Sequence, residues 1–228
     1  SSLSAQAGQW KVLFDGKDLS NFTIMAGGGG RGPAPTTPPS SNPTDRGWMV
    51  ENGVISSTKP AEGQRAGSLA TKDSYKDFEF ETEFMLAEQG TKCTPKLGDK
   101  QANLSEDKTC TFNSGIYFRS GYQLNLGRRE AGEYVGVVMH RVIPGESIRG
   151  NVDWLSTGDC GGKNRQYLQD CSQFPEIRHK NDWNQLRIMF KGDRLQVWMN
   201  GKQITDVVDK PMAGEESWAS VLALQFSA

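Results

Sequence analysis

Three glutamates at alternate positions are the residues of this sequence whose type and spacing most directly suggest chemistry. They are Glu79, Glu81 and Glu83, in the stretch DFEFETEFML at residues 77–86. Successive side chains of a β-strand point to opposite faces, so the three carboxylates share one face and stand roughly 7 Å apart. At that spacing, carboxylates can raise one another's pKa or share a metal ion or an arginine. The simpler alternative is the solvated outer face of an antiparallel sheet.

Other predicted strands alternate in the same way, and their polar sides would complete a site if they joined the same sheet as the glutamates. Those polar side chains are Tyr117 and Arg119; Gln123 and Asn125; His140; and Gln196, Trp198 and Asn200. Aromatic rings stack on the apolar faces of pyranose rings, while amides and charged groups bind hydroxyls. This combination of residue types therefore favours a carbohydrate ligand.

The elements that position these residues are many short strands separated by turns. Strands are expected within residues 10–14, 17–24, 48–50, 54–56, 67–71, 77–86, 114–119, 122–126, 134–142, 183–191, 194–200 and 220–226. Asn52-Gly53 between two apolar runs predicts a hairpin. The pattern predicts an all-β fold in which two antiparallel sheets pack as a sandwich. We expect a single domain, residues 1–228, with surface loops at 27–43, 87–112 and 143–182.

The composition is that of a globular protein with balanced charge. The 228 residues include 26 basic and 27 acidic residues, which gives a formal net charge of −1. Nothing in this balance steers the chain toward nucleic acid or an anionic membrane. No apolar run approaches the roughly 18 residues that a membrane-spanning helix needs. Neither a nucleic-acid partner nor a membrane span is expected.

Cysteine spacing predicts an oxidising compartment. Each of two cysteine pairs brackets a polar loop, so two local disulfides are expected, although three connectivities are possible on paper. The pairs are Cys93 with Cys110, and Cys160 with Cys171. Ala5-Gln6-Ala7 has the small-x-small pattern of a signal-cleavage site, although no apolar segment precedes it. We expect a secreted or periplasmic protein.

Six motifs together resemble the 3-keto-disaccharide hydrolase domain family. They are WKVLFDGKDLSNF, GWMVENGVI, DFEFETEFML, NSGIYFRSGYQLNL, DWNQLRIMFKGDRLQVWMNG and ALQF, in family order over nearly the whole chain. The resemblance implies a jelly-roll sandwich of the concanavalin A-like lectin and glucanase type. It also implies an exported, carbohydrate-active hydrolase. Family members continue past ALQF with one further strand, and here we expect that this strand is either absent from the protein or cut from this sequence.

The implied reaction is cleavage of a 3-keto-glycoside by elimination and hydration. It requires a base, a stabiliser of the enolate oxygen and an acid for the leaving group. We interpret Glu83 or His140 as the base and Arg119 as the stabiliser, with Glu81 or Glu79 supporting the leaving group or a divalent metal. Substrate-binding roles are expected for Glu81, Tyr117, Gln123, Asn125 and Trp198, with Trp198 as the stacking platform.

Structural roles remain alternatives for the same residues. Glu83 and Arg119 could form a cross-strand ion pair, His140 could be a hydrogen-bonded scaffold residue, and Trp198 could be packing. Two other functions also stay open. A retaining glycosidase would need two carboxyls about 5 Å apart, and a non-catalytic carbohydrate-binding module would need only the polar and aromatic face. In each case the expected partner is an oligosaccharide or a glycoside.

Overall fold

The structure is a computed structural model. It describes residues 8–25, 38–85, 112–119, 122–129, 132–133, 136, 138–140, 166–167, 182–208 and 221–224. Across these ranges the regular structure is β-strand, apart from one short 3-10 helix at Thr44–Arg46. None of the helical structure in these ranges is long and apolar enough to cross a membrane. The chain divides into two compact units, residues 1–72 and residues 73–228.

The first unit contains two antiparallel strand pairs. Its strands are β1 (Phe22–Met25), β2 (Trp48–Glu51), β3 (Val54–Ser57) and β4 (Ser68–Thr71). β1 pairs with β4, and β2 pairs with β3. The predicted hairpin is confirmed, because Asn52 and Gly53 join β2 to β3 with positive φ values of 51° and 77°. Positive φ at both central residues is the type I′ geometry that matches strand twist.

The predicted strand at residues 10–14 is wrong. This segment is irregular and forms no strand, although its sequence is apolar. Trp10 and Val12 are 60% and 68% exposed. The side-chain amide of Asn21 donates instead to the carbonyl of Leu13, at 2.9 Å. An apolar alternation becomes a strand only where another strand accepts its backbone hydrogen bonds.

The second unit contains two antiparallel sheets. Its strands are β5 (Phe78–Met85), β6 (Phe112–Phe118), β7 (Tyr122–Arg129), β8 (Gly132–Glu133), β9 (Val138–His140), β10 (Gln166–Tyr167), β11 (Trp183–Lys191), β12 (Arg194–Met199), β13 (Lys202–Val208) and β14 (Ala223–Leu224). Sheet I has the strand order β14-β6-β7-β9-β10 in this unit, and β8 also pairs with β7. Sheet II has the order β13-β12-β11-β5.

Apolar side chains from alternate positions of the two sheets form one core. Sheet I contributes Ile116, Phe118, Tyr122, Leu124, Leu126 and Val138, and sheet II contributes Leu186, Ile188, Phe190, Leu195, Val197 and Met199, all buried. The ring of Phe190 lies 6.1 Å from that of Phe118 and 4.9 Å from that of Tyr122, between centroids. These contacts place the sheets face to face, and burying one such side chain stabilises the fold by about 1.5–3 kcal/mol.

The predicted fold class, an all-β antiparallel jelly-roll sandwich, is confirmed. Three strands were not predicted: β8, β13, and β10 inside the segment 143–182 that was expected to be a loop. The single-domain boundary stays a prediction. Cys93, Cys110, Cys160 and Cys171 lie outside the described residues, so both disulfides and export also stay predictions.

Candidate functional site

The glutamate row lies on the outer face of sheet II, away from the core. Its strand, β5, pairs with β11 in a register that sets Glu81 opposite Arg187 and Glu83 opposite Gln185. The Arg187 guanidinium forms ion pairs with Glu79 and with Glu81, the latter at 3.7 Å. The three glutamates are exposed, while the alternate residues of β5 are partly buried. The row therefore shares an arginine, one of the options that its spacing suggested.

Trp198 continues this row onto β12. It pairs directly with Arg187, whose guanidinium carbon lies 4.9 Å from the centre of the indole ring, a cation–π contact. The register between β12 and β13 shifts between Val197 and Trp198, which is a β-bulge. Bulges re-aim side chains and are common beside functional sites. The added residue of this bulge is Ile204 on β13, directly beside the partner of Trp198.

A surface depression of about 670 Å³ lies over this part of sheet II. We call it the carboxylate groove and define it by Glu81, Glu83, Gln185, Arg187 and Trp198, which line it. Its volume falls within the range of about 300–1,000 Å³ that is typical of small-molecule sites. Two carboxylates against one guanidinium leave the groove with an excess of negative charge.

A second polar surface lies on sheet I, on the side away from the core. Tyr122 and Leu124 point into the core, so Gln123 and Asn125, which alternate with them on β7, point to the opposite side. Tyr117 on β6 is paired directly with Gln123 and belongs to the same side. We call this surface the amide face and define it by Tyr117, Gln123 and Asn125.

The amide face is buried, although it lies outside the hydrophobic core. Gln123 is 6% exposed, Asn125 is 2% exposed and Tyr117 is half-buried. All three residues make hydrogen-bonding, ring or electrostatic interactions with other groups. Burying an amide costs free energy unless its donors and acceptors are paired, so two adjacent buried amides mark a built polar site.

Gly115 makes room for Gln123. It lies opposite Asn125 in the β6–β7 ladder, diagonal to Gln123. A Cβ atom at position 115 would stand 2.7 Å from Nε2 of Gln123 and 2.8 Å from the carbonyl oxygen of Leu124. Both separations are shorter than van der Waals contact. The Leu124 carbonyl belongs to the backbone and cannot turn aside, so glycine at position 115 leaves the space beside which the Gln123 amide lies.

Arg119 lies apart from both polar surfaces, in a structural clamp. Its guanidinium donates to the carbonyls of Lys76 and Gly192, at 2.5 Å and 2.6 Å, and to Oδ1 of Asp77, at 2.6 Å. Its guanidinium carbon stands 3.7 Å from the centre of the Phe190 ring. Burial lowers the pKa of Arg119 and Asp77 opposes that shift, while an arginine stays charged at any ordinary pH.

The placement of Arg119 follows from its backbone. With φ at +46°, it leaves the extended conformation just after β6, so the strand alternation that groups it with Tyr117 no longer applies. The prediction that Arg119 faces a hollow beside Glu83 and His140 is therefore wrong in its geometry. No ion pair between Arg119 and Glu83 occurs either, since the carboxylate partner of Arg119 is Asp77.

His140 ends β9, next to β7 and β10. The register sets His140 opposite Tyr122 and Gln166, and sets Met139 opposite Gln123. Directly paired positions share a face of the sheet. The backbone register therefore assigns position 139, and not position 140, to the amide face, which differs from the expected grouping of His140 with Gln123 and Asn125. The role of His140 as a base stays a prediction.

The predicted site therefore separates into two surfaces and a clamp. Tyr117, Gln123 and Asn125 come together on sheet I, while Glu81, Glu83 and Trp198 come together on sheet II. The assumption that all these strands share one sheet is wrong, because β5 and β12 belong to sheet II. Sequence reasoning missed Arg187 and Gln185, although both lie on the polar alternation of DWNQLRIMF. It also missed Gly115, which no local pattern distinguishes.

The residues that the structure describes contain no group of three or more histidine, cysteine, aspartate or glutamate side chains able to hold a metal ion. The glutamate row was the sequence-based candidate for a divalent metal. Its Glu79 and Glu81 carboxylates are instead paired with Arg187. A guanidinium in that position repels a cation, so these residues do not fit a metal site.

Comparison with known proteins defines the class of this chain. The model of the 3-keto-alpha-glucoside-1,2-lyase-like domain family matches residues 9–226. The chain belongs to this family, which confirms the family expected from the six sequence motifs, and it is a carbohydrate-active domain. No curated protein matches it.

Two solved structures of candidate glycosyl hydrolases from Parabacteroides distasonis are similar to the chain. The first is 17% identical, covers 94% of this chain and 86% of its own, and has a TM-score of 0.49. The second is 18% identical, covers 96% of this chain and 91% of its own, and has a TM-score of 0.47.

Proposed function

We propose that this protein cleaves the glycosidic bond of a 3-keto-glycoside by elimination, with the sugar bound at the amide face. Membership of a family described as 3-keto-alpha-glucoside-1,2-lyase-like supports this reaction class. The observation that carries the location is the pair of buried amides, Gln123 and Asn125, on the side of sheet I away from the core. On a sheet face that only contacts water, amide side chains would be exposed. In a sugar-binding site, shielded amides bind the hydroxyl groups of the sugar.

The ketone at C3 makes this elimination possible. A base removes the proton at C2, and the electron pair of the C–H bond forms an enolate whose charge rests on the C3 oxygen. The enolate then reforms the ketone as a C1–C2 double bond forms and the C1–O bond breaks, and the protonated base returns its proton to the departing oxygen. Addition of water across the double bond, with hydroxyl at C1 and hydrogen at C2, completes net hydrolysis.

The amide face supplies groups suited to the enolate step. Each amide provides two N–H donors and a carbonyl acceptor. Donors held in place before reaction stabilise developing charge without reorganisation, and burial strengthens their effect. Gly115 leaves the space beside which the Gln123 amide lies, so the amide is close to the backbone of β6. We assign Gln123 and Asn125 to the C3 oxygen and the neighbouring hydroxyls, and Tyr117 to the rim of the sugar.

Deuterium at C2 of a 3-keto-glucoside with a chromogenic aglycone tests the proposal. We expect aglycone release, a primary kinetic isotope effect on kcat/KM, and no release from the ordinary glucoside, whose C2 proton is not acidified. A retaining glycosidase would cleave the ordinary glucoside without a primary C2 effect. A carbohydrate-binding module would release no aglycone from either compound. Either result would overturn the elimination mechanism.

A further inference from the structure

The carboxylate groove is not used by the proposed reaction, and its chemistry is that of a binding site. Trp198 presents a partly exposed indole ring, and Gln185 and Glu83 stand exposed beside it. Gly201 also borders the groove, and a Cβ atom at this glycine would meet nothing within 4 Å. The result is an aromatic surface flanked by polar groups, with open space at one end.

Arg187 holds the indole in place. In the ladder, Arg187 lies opposite Trp198 on one side and opposite Glu81 on the other. A carboxylate, a guanidinium and an indole ring therefore form one row across three strands. The ion pairs to Glu79 and Glu81 fix the guanidinium, and the guanidinium fixes the ring. A ring ordered in this way loses little conformational entropy when a ligand stacks on it.

The charges of the groove select among ligands. Glu81 and Glu83 outnumber Arg187, so an anionic ligand is repelled. Carboxylate and amide oxygens accept hydrogen bonds from hydroxyls, and an indole face stacks on the C–H face of a pyranose. A neutral saccharide offers both features.

We propose that the carboxylate groove binds neutral pyranose units, as a second carbohydrate site on the side of the sandwich opposite the amide face. Gln123 and Asn125 point outward from sheet I, and Trp198 and Glu83 point outward from sheet II, with the shared core between them. A saccharide unit in the groove is therefore separated from the reacting sugar by both sheets. The groove retains a longer glycan, or a neighbouring chain of the same material, without taking part in its cleavage.

The test is a binding titration with neutral glucose hexasaccharides in α-1,4, β-1,4 and β-1,3 linkage, none of which carries a ketone. We expect at least one to bind saturably and to shift the indole N–H resonance of Trp198 in nuclear magnetic resonance spectra. A galacturonate hexasaccharide is expected to bind more weakly. Because these probes lack the C3 ketone, failure of the proposed elimination would leave this result unaffected.

Substitutions in the carboxylate groove test whether the hexasaccharide binds there. Trp198→Ala is expected to weaken binding by at least about tenfold, and Trp198→Phe by less, because a smaller ring still stacks. Trp10→Ala is the matched control, since Trp10 is 60% exposed outside the groove. Gln185→Ala, at an exposed position, is expected to weaken binding too, and it removes a hydrogen-bonding group without touching the Arg187–Trp198 contact.

Cleavage assays with the same variants distinguish the carboxylate groove from the reaction centre. Trp198→Ala is expected to cleave a small 3-keto-glucoside within about twofold of the wild-type rate, which is less than 0.5 kcal/mol. The proposal is overturned if none of the hexasaccharides binds saturably, or if Trp10→Ala weakens binding as much as the groove variants do. It is also overturned if the groove variants lose cleavage of the small substrate together with binding.

Discussion

The amide face and the carboxylate groove are both built from alternate residues of antiparallel strands, yet they differ in their contact with water. On sheet I, Gln123 and Asn125 are 6% and 2% exposed. On sheet II, Glu81, Glu83, Gln185 and Arg187 are all exposed, and only Trp198 is partly buried. The sandwich therefore carries a dry, neutral polar surface on one side and a wet, charged one on the other.

This difference separates the chemistry that each surface can do. Hydrogen bonds from buried amides act in a low dielectric, where they stabilise developing charge strongly. Exposed charges are screened by water and salt, so they steer and select ligands more than they stabilise a transition state. A reaction centre therefore fits the amide face, and a binding surface fits the groove.

Loss of the Arg119 clamp is expected to have the largest effect on the stability of the fold. Arg119 connects the end of β6 in sheet I to segments that flank β5 and β11 in sheet II. Arg119→Ala leaves two carbonyls without their side-chain donor, and it leaves Asp77 Oδ1 with only the backbone N–H of Gly192. It should lower the free energy of unfolding by about 3 kcal/mol. The lower part of the range for buried pairs applies because the Asp77 side chain is 54% exposed. Urea denaturation of the full chain measures the loss.

Arg187→Ala is the control for the clamp. Arg187 also makes two ion pairs and a cation–π contact, but its side chain is 44% exposed. Exposed ion pairs contribute less than about 1 kcal/mol, so this variant should unfold close to the wild type. Equal losses in the two variants would show that burial does not distinguish the two arginines.

The next effect concerns catalysis at the amide face. Gln123→Ala is expected to lower kcat/KM for a 3-keto-glucoside by about 100-fold, or about 2.7 kcal/mol, because a preorganised donor to the developing oxyanion is lost. Gln185→Ala removes the same side chain from the outer face of sheet II and should stay within about twofold of the wild type. Steady-state kinetics on both variants compare the two surfaces directly. Similar losses of kcat/KM in both variants would contradict the assignment of the reaction to the amide face.

The smallest expected effect is on the stability that an exposed ion pair on sheet II contributes to the fold. Arg194 donates two hydrogen bonds of 2.8 Å to Asp206, which also accepts from Gln196 and Gln203. The hydrogen bond from Arg194 is the main reason why the pKa of Asp206 lies below its usual value. A lowered pKa in the folded state stabilises the fold above the unfolded-state pKa, and that contribution is lost as the pH falls through the folded-state pKa.

Thermal unfolding of Asp206→Asn between about pH 6 and about pH 2 measures this contribution. The variant should melt slightly below the wild type at the upper end, and the difference should vanish at the acid end. Asp193→Asn, at an exposed position in the β11–β12 turn, serves as the control. A difference that stays constant with pH would exclude the charge of Asp206 as its cause.

Local alternation predicted those strands whose two sides meet different surroundings. β5 follows the pattern of DFEFETEFML, and β11 and β12 follow theirs, because one side of each strand packs into the core. β13 was missed because its apolar residues, Ile204, Val207 and Val208, do not alternate in the sequence. The bulge opposite Val197 and Trp198 adds one residue to this strand, and an added residue breaks the period of two on which the prediction depends.

The candidate site was predicted only in parts because sheet membership and register are not local properties. Alternation correctly predicted that Gln123 and Asn125 share one face of β7, and that Glu81 and Glu83 share one face of β5. It could not give the sheet that each strand joins, and so it merged two opposite surfaces into one. Arg119 was misplaced for a local reason, since a positive φ at a strand end redirects the side chain.

The close approach of Gln123 to Gly115 also bears on how this family can vary. A Cβ atom at position 115 would stand too close to both the Gln123 amide and the backbone carbonyl oxygen of Leu124. The amide is the end of a flexible side chain and can turn away, whereas the carbonyl moves only with the β6–β7 ladder. A relative with a side chain at position 115 is therefore expected to have a shifted ladder at this point, which also moves position 123. A library directed at the amide face should randomise both codons together.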